Sequence, residues 1–337
     1  MANCNKLFGD FNKEITPSSD QLQKMKTSRV ALEKKITSKI EEKLGVTPSY
    51  YTQGSGAQKM RTIIIKEDGT YDADRGVYLP EEPSVSAETV QKYVYDAVND
   101  HTSDGAEHRK KCIRVYYKCA YNIDFPVYYE LKDEEYARMA VKGIGWIIDD
   151  PWHMITWFEG YKDSNGQLVR MVKYLKVWAS KVNSFKMPSG IALTVWAAEN
   201  FSAVNDRDDE CLFKLLKSIR SALFFGVSCY SPVEPFDDLT AKLSEDQKTK
   251  FKTELNKFIS NAELALDTAN QLEASKKWQK HLGNRFPDGV NEDTDQKAKS
   301  LFAAAASVLE RNAHLGRNGV INSSSGVNHT THRNYGG

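Results

Sequence analysis

YTQGSGAQKMRTIIIKEDGTYDADRGVYLP, residues 51–80, decides the reading of this chain. It opens on Gly54-Ser55-Gly56 and closes with Asp72-Ala73-Asp74. Tyr50 to Gln53 enter the glycine turn as a short strand, Ile63-Ile64-Ile65 is β-rich, and Asp68-Gly69 marks a turn before a strand over 71–79. Alternate strand side chains share a face, so Asp72 and Asp74 point one way and Tyr71 and Ala73 the other. Two carboxylates held this close repel unless a cation lies between them. Hard ions such as Mg²⁺ or Mn²⁺ take oxygen ligands of this kind. The glycine turn lets backbone N–H groups approach phosphate oxygens, and Ser55 adds a hydroxyl. Each signal is short. Alone, the acid pair reads as a solvated hairpin and the glycines as an ordinary loop. The turn is neither a Walker A loop nor a G-x-G-x-x-G fingerprint.

Upstream, Leu22, Met25, Leu32, Ile36 and Ile40 set a helix over 20–44, capped by Ser18, Ser19 or Asp20 and stopped by Gly45. Downstream, a helix over 85–100 with Ser86 as its cap is followed by β-rich runs at 112–117 and 121–131. The second run contains Asp124, just before Phe125-Pro126. This third carboxylate raises the odds. A glycine-serine turn, a D-x-D strand and a later strand Asp form a two-metal nucleotidyl-transfer set. Asp124 would help activate an attacking hydroxyl or take its proton. Its plain alternative is a strand-end Asp in a turn.

After residue 131 the pattern becomes almost wholly helical. Asp150-Pro151 is a cap followed by proline, and the aromatic-rich 151–161 reads as core, not as a base-stacking platform. Leu168, Met171, Val172, Leu175, Trp178 and Ala179 form an apolar stripe. Pro188-Ser189-Gly190 starts the next helix, 212–225 is another, and 231–235 is an extended linker. Ser244 and Gln247 make a capping box at the head of a long stretch reaching Gly283, and a last helix is expected over 294–315. The tail from Arg317 is rich in Gly, Asn and Ser and reads as disordered. His329 and His332 within it, like His153 and His281, form no metal pattern.

The 337 residues carry 46 Lys plus Arg against 45 Asp plus Glu, a net charge of +1. That balance argues against a nucleic-acid coat or a membrane-surface binder. Five cysteines, Cys4, Cys112, Cys119, Cys211 and Cys229, include no C-x-x-C pair and read as reduced thiols. No secretory signal or membrane-spanning run is visible, which suits a cytoplasmic protein.

The order GS, DADRGVYLP and IDFPVYYEL resembles the cGAS/DncV-like nucleotidyltransferases of bacterial CBASS anti-phage systems. Asp149-Asp150-Pro151 before Trp157-Phe158, the run LVRMVKYLKVWASKVNSFKMPSGIALTVWAAE, and Val233-Glu234-Pro235 before Asp237-Asp238-Leu239 extend the resemblance over about residues 21–316. It implies an α+β fold: a polymerase-β-like catalytic lobe with a mixed sheet over 1–150, a helical lobe over 151–316, a flexible tail over 317–337, and an active site between the lobes. It implies an enzyme that joins ATP and/or GTP into a cyclic di- or trinucleotide messenger read by a downstream effector, with no nucleic acid required as substrate.

By the same resemblance, Gly54 and Ser55 hold the donor triphosphate. Asp72, Asp74 and Asp124 bind two Mg²⁺ or Mn²⁺ ions, Lys173 and Ser189 steady the triphosphate, and Asp238 is a candidate base contact. Lys173 also reads as a cation off the apolar stripe, and Ser189 as a plain helix cap. Many such synthases end in a carboxylate conjugated by a ubiquitin-activating and -conjugating-like partner, which would make Gly337 a conjugation site. Two features depart from the pattern. The interval 59–70 is long, and Arg75 either touches phosphate or pairs with a surface acid. Other readings are a terminal nucleotidyltransferase acting on RNA or another acceptor, and a weakly catalytic NTP-binding sensor or scaffold.

Overall fold

The computed structural model describes residues 2–118, 120–205 and 207–294, together with 296, 300, 303, 306, 314–315 and 321–322. Cys119, most of the helix expected over 294–315, the tail histidines and Gly337 lie outside the described residues.

The chain begins with α1 (Asn5–Glu14) and α2 (Ser19–Leu44), which lead to β1 (Ser49–Gln53). Ser18 and Gln21 close a capping box on α2, and Gly45, at φ +73°, ends it in the left-handed region that glycine adopts without strain. A 3₁₀ turn, Gly54–Gly56, follows. Next come β2 (Tyr71–Leu79), α3 (Ala87–Val98), β3 (Ala106–His108), β4 (Ile113–Tyr117), β5 (Tyr121–Phe125), β6 (Val127–Tyr129), β7 (Arg138–Val141) and β8 (Gly145–Ile148).

These strands form one mixed sheet in the order β3-β4-β5-β2-β6-β7-β8, with β1 paired to β2. Strand β2 runs parallel to both β5 and β6. The β-rich run at 121–131 is therefore two strands. Pro126 has no N–H to give a ladder, and its carbonyl instead accepts from Val77 N at 2.9 Å. The odd-numbered Tyr71, Ala73, Val77, Leu79, Ile123 and Phe125 pack against α2 and α3 in one core. Asp72, Asp74 and Asp124 are left on the opposite face.

Two expectations change. The stretch after residue 131 first makes the β7–β8 hairpin, whose inward Met139 and Val141 join Tyr78 and Tyr128 in a small cluster. The run Ile63-Ile64-Ile65 forms no strand. Ile65 N donates to Ile15 O at 2.8 Å, so this run ties the sheet to the segment after α1.

The remaining helices are α4 (Pro151–Tyr161), α5 (Gln167–Lys181), α6 (Gly190–Asn200), α7 (Asp208–Ala222), α8 (Glu245–Asp267) and α9 (Gln271–Leu282). The long stretch to Gly283 breaks at Thr268, and Asn270 caps α9 by accepting from Glu273 N at 3.2 Å. The two-residue strands β9 (His314–Leu315) and β10 (Ile321–Asn322) pair with each other.

The helical core includes α1. Phe8 meets Tyr174, Trp278 and Phe286 edge-on, with ring centroids 4.9–5.2 Å apart. The first helix in sequence thus belongs physically to the second lobe. Burying such rings is worth about 1.5–3 kcal/mol each, which pins the lobes' connection. Among the described residues, no helix is long and apolar enough to cross a membrane.

Candidate active site

Strand register builds the acidic cluster. Asp74 lies opposite Asp124, and Asp72 opposite Asn122, across the parallel β2–β5 pair. On the other side of β5, Arg114 of β4 faces Asp124. Each carboxylate has a distinct environment. Asp124 is buried and receives a fork from Arg114, Nε to Oδ1 at 2.7 Å and Nη2 to Oδ2 at 2.6 Å. Asp72 accepts from Lys66 Nζ and from Asn122 Nδ2 at 2.8 Å. Burial works against the Asp72 charge, but Lys66 and Asn122 outweigh it and hold the carboxyl below its ordinary range. Among the described residues, Asp74 has no such partner. Burial, then repulsion from Asp124 and Asp72, push it up to about 7.

The turn above Asp74 requires glycine. Gly54 has φ +55°, and a Cβ there would lie 2.5 Å from Asp74 Oδ2. Its backbone therefore sits directly on the acidic cluster. Ser55 follows, on the wall of two adjoining bays of about 420 and 510 Å³. The bays share Ser55, Lys176 and Gly190. The first holds Asp74, Lys111, Asp149 and Asp237, and the second holds Asp72 and Lys66.

Lys173 is not in either bay. It is buried, its Nζ donates to Thr16 Oγ1 at 2.9 Å, and it opens onto a different cavity beyond the turn. The α5 lysine at the cleft is Lys176, one helical turn on. Its Nζ donates to Thr62 Oγ1 at 3.0 Å and Thr62 O at 3.2 Å. Burial lowers Lys176 to about 8, and Asp74 opposes that shift. Ser189 caps α6 by accepting from Ala192 N at 3.3 Å; its neighbours Pro188 and Gly190, not Ser189 itself, line the bays. Asp238 turns back to accept from Thr240 N at 2.8 Å, while Asp237 lines the cleft.

The interval 59–70 also has an account. It crosses from the turn to the helical lobe, places Thr62 on Lys176, and returns Lys66 to Asp72. Arg75 lies on the far face, donating to Glu33 Oε1 at 2.7 Å and Thr52 Oγ1 at 3.1 Å. Sequence reasoning missed Lys66, Arg114, Lys176 and Asp237. Only the strand position of Arg114, ten residues before Asp124, offered a signal.

The donor set suits a divalent cation. Three carboxylates share a face, and burial with two acidic neighbours disfavours charge on Asp74. As they stand, Arg114 and Lys66 occupy the other two, and no group of three His, Cys, Asp or Glu side chains closes as a metal cage among the described residues.

Residues 48–128 match the family model described as cyclic GMP-AMP synthase DncV-like, nucleotidyltransferase domain. This stretch is similar to a DncV-like nucleotidyltransferase domain. It spans β1, the glycine turn, β2 and β5, and so contains Asp72, Asp74 and Asp124. Among curated relatives, a cyclic AMP-AMP-AMP synthase of an Acinetobacter species is 23% identical over 177 residues, 49% of this chain. The match spans 50% of that relative's length.

The overall fold is similar to that of the Vibrio cholerae DncV cyclic AMP-GMP synthase in complex with nonhydrolyzable GTP. The TM-score is 0.75 at 18% identity, covering 86% of this chain and 98% of that one. It is also similar to the Bradyrhizobium diazoefficiens CD-NTase CdnG in complex with GTP, with TM-score 0.69, 13% identity, and 88% and 98% coverage. The likeness extends over both lobes, so the helical lobe is part of the shared fold.

Proposed function

We propose that this chain joins nucleoside triphosphates into a cyclic di- or trinucleotide, releasing pyrophosphate with each bond. The observation that carries the reading is the placing of Asp72, Asp74 and Asp124 on one sheet face beneath the Gly54-Ser55 turn, where two bays meet. ATP and GTP are the proposed substrates. The terminal nucleotidyltransferase reading shares these carboxylates and is separated from this one by its need for an acceptor.

Asp72, Asp74 and Asp124 would hold two Mg²⁺ or Mn²⁺ ions, which when bound supply charge neutralisation for the triphosphate and a more acidic attacking hydroxyl. The Gly54-Ser55 backbone and the Ser55 hydroxyl orient the triphosphate from above. Lys176, at the shared wall, neutralises phosphate charge from the helical lobe. Asp124 accepts the proton of the attacking ribose hydroxyl, and the Arg114 fork holds its carboxylate in place. Asp237 and Asp149 are placed to accept from amino groups on a base edge in the first bay.

We place the enzyme in the cytoplasm, acting in anti-phage defence through an effector of its cyclic product. Conjugation through Gly337 is part of the same proposal, and deleting Gly337 should abolish it in the presence of the conjugating partner. The activity test is direct. Purified protein is incubated with mixed NTPs and Mg²⁺ without acceptor, treated with phosphatase, and analysed by mass spectrometry. A phosphatase-resistant cyclic product is expected. A strict requirement for an RNA acceptor would overturn the reading.

A further inference from the structure

We infer that the C-terminal end of α7 is a docking surface for an anionic lipid bilayer. From Cys211 to Val233 the chain carries Lys214, Lys217 and Arg220 and no Asp or Glu. The net charge of +1 conceals this, because a sum over 337 residues says nothing about a local patch. Helix α7 buries Leu212, Leu215, Leu216 and Ile219 in the helical lobe. Phe213, Lys217, Arg220 and Phe224 follow at helical spacing outside that stripe, the last of them in the turn that ends the helix. None of these side chains lines either bay of the cleft.

The turn presents two adjacent aromatic rings to water. Phe224 is 73% exposed and Phe225 99%. One exposed apolar side chain is ordinary, but a paired patch of this kind marks a contact surface. Cations surround it. Lys252 of α8 reaches over to donate from Nζ to Phe224 O at 3.3 Å, and Lys217 Nζ lies 5.1 Å from the Phe213 ring centroid. Among the described residues, Lys214, Lys217, Arg220 and Lys252 have no carboxylate within ion-pair distance. At the other end of α7 the basic group is paired, Arg207 with Asp209 at 2.9 Å and Glu210 at 3.0 Å. Uncompensated charge therefore gathers at the aromatic end. Phenylalanine rings enter the boundary between headgroups and acyl chains, while lysine and arginine attract anionic headgroups. A second copy docked by two-fold symmetry would set these cations against themselves. The two rings meet edge-on at 87°, 5.1 Å apart, so they offer no parallel platform for successive nucleic-acid bases. The surface does not depend on the catalytic reading.

The test is flotation of the full chain with large vesicles at low salt. One arm uses phosphatidylglycerol with phosphatidylethanolamine, the other phosphatidylcholine alone. Saturable binding to the anionic vesicles is expected, at least about tenfold stronger than to the neutral ones and lost in about 0.5 M NaCl. The double variant Phe224→Ser, Phe225→Ser should weaken that binding by at least about tenfold. The double variant Lys217→Glu, Arg220→Glu should abolish the preference for anionic vesicles. All four side chains are exposed, so both variants should fold, with unfolding temperatures as the check. The surface variant Lys35→Ala should bind as wild type. Binding to neither vesicle, equal binding to both, or unchanged binding in the aromatic variant would overturn the inference. A dimer that forms without lipid and falls apart in the aromatic variant would also overturn it, because a second copy would then cover the patch.

Discussion

Arg114 grips both oxygens of Asp124 across the β4–β5 pair, at 2.7 and 2.6 Å, with side chains only 15% and 10% exposed. Its guanidinium thus supplies positive charge at the carboxylate where the proposed reaction needs a cation. Removing one partner of such a pair leaves a buried charge unmatched, which costs about 3–5 kcal/mol. Arg114→Met should lose stability of that order in urea denaturation without divalent ions. Millimolar Mg²⁺ should restore part of it, because a bound cation replaces the missing charge. Equal loss with and without Mg²⁺ would show that no cation enters here.

Asp72→Asn with Asp74→Asn removes two like charges from a crowded face. The fold should keep its stability or gain some, since Asp74 is already disfavoured as a charge. NTP consumption should fall by at least about a thousandfold, roughly 4 kcal/mol of barrier. Pyrophosphate release measured over hours decides this. Product formation near the wild-type rate would remove these residues from the mechanism.

Lys176, not Lys173, faces the bays. Lys176→Met should lower kcat/KM for NTP by about ten- to a hundredfold, the worth of a charged hydrogen bond. Lys176→Arg should recover part of the loss. A kcat/KM for Lys176→Met within about twofold of wild type would contradict the placement.

Gly54→Ala meets two obstacles together, a positive φ and a Cβ at 2.5 Å from Asp74 Oδ2. The backbone cost alone is about 1–3 kcal/mol. The Ala variant should lose most activity and unfold at a lower temperature. Gly69→Ala, also at positive φ but with nothing within 4 Å, should share the backbone penalty and keep more activity.

His281 offers a pH test far from the cleft. It is buried, stacks on Phe258 at 4.4 Å, and burial lowers its pKa to about 4. The unfolded chain binds this proton near pH 6.5, so the folded state binds fewer protons between those values. Stability is fully present above about 6.5 and is lost as pH falls towards 4, about 3 kcal/mol in all. The difference between wild type and His281→Phe, followed by urea midpoints from pH 7 to 4, should change by that order. A constant difference would show that His281 titrates normally.

The catalytic lobe was legible because its signals are local. The Ser18 cap, the α2 stripe, Gly45 and the D-x-D strand each follow from periodicity and turn chemistry within a few residues. Pairing was less legible. Pro126 signalled a break, but the assignment of β5 and β6 to the same neighbour rests on hydrogen bonds between segments about 50 residues apart. The β7–β8 hairpin was hidden by its short strands.

What the sequence determined by itself was the carboxylate set. The alternation of β2 puts Asp72 and Asp74 on one face whatever packs around them, and the glycine turn comes before that strand in the chain. What only the tertiary structure decided was which cations serve them. Lys173 and Lys176 are three residues apart on one helix, and sequence periodicity cannot say which side of the turn each faces. That depends on how the 59–70 segment crosses between the lobes, setting Thr62 against Lys176 and leaving Lys173 with Thr16 in the cavity behind. The contact is long-range, and no local rule encodes it.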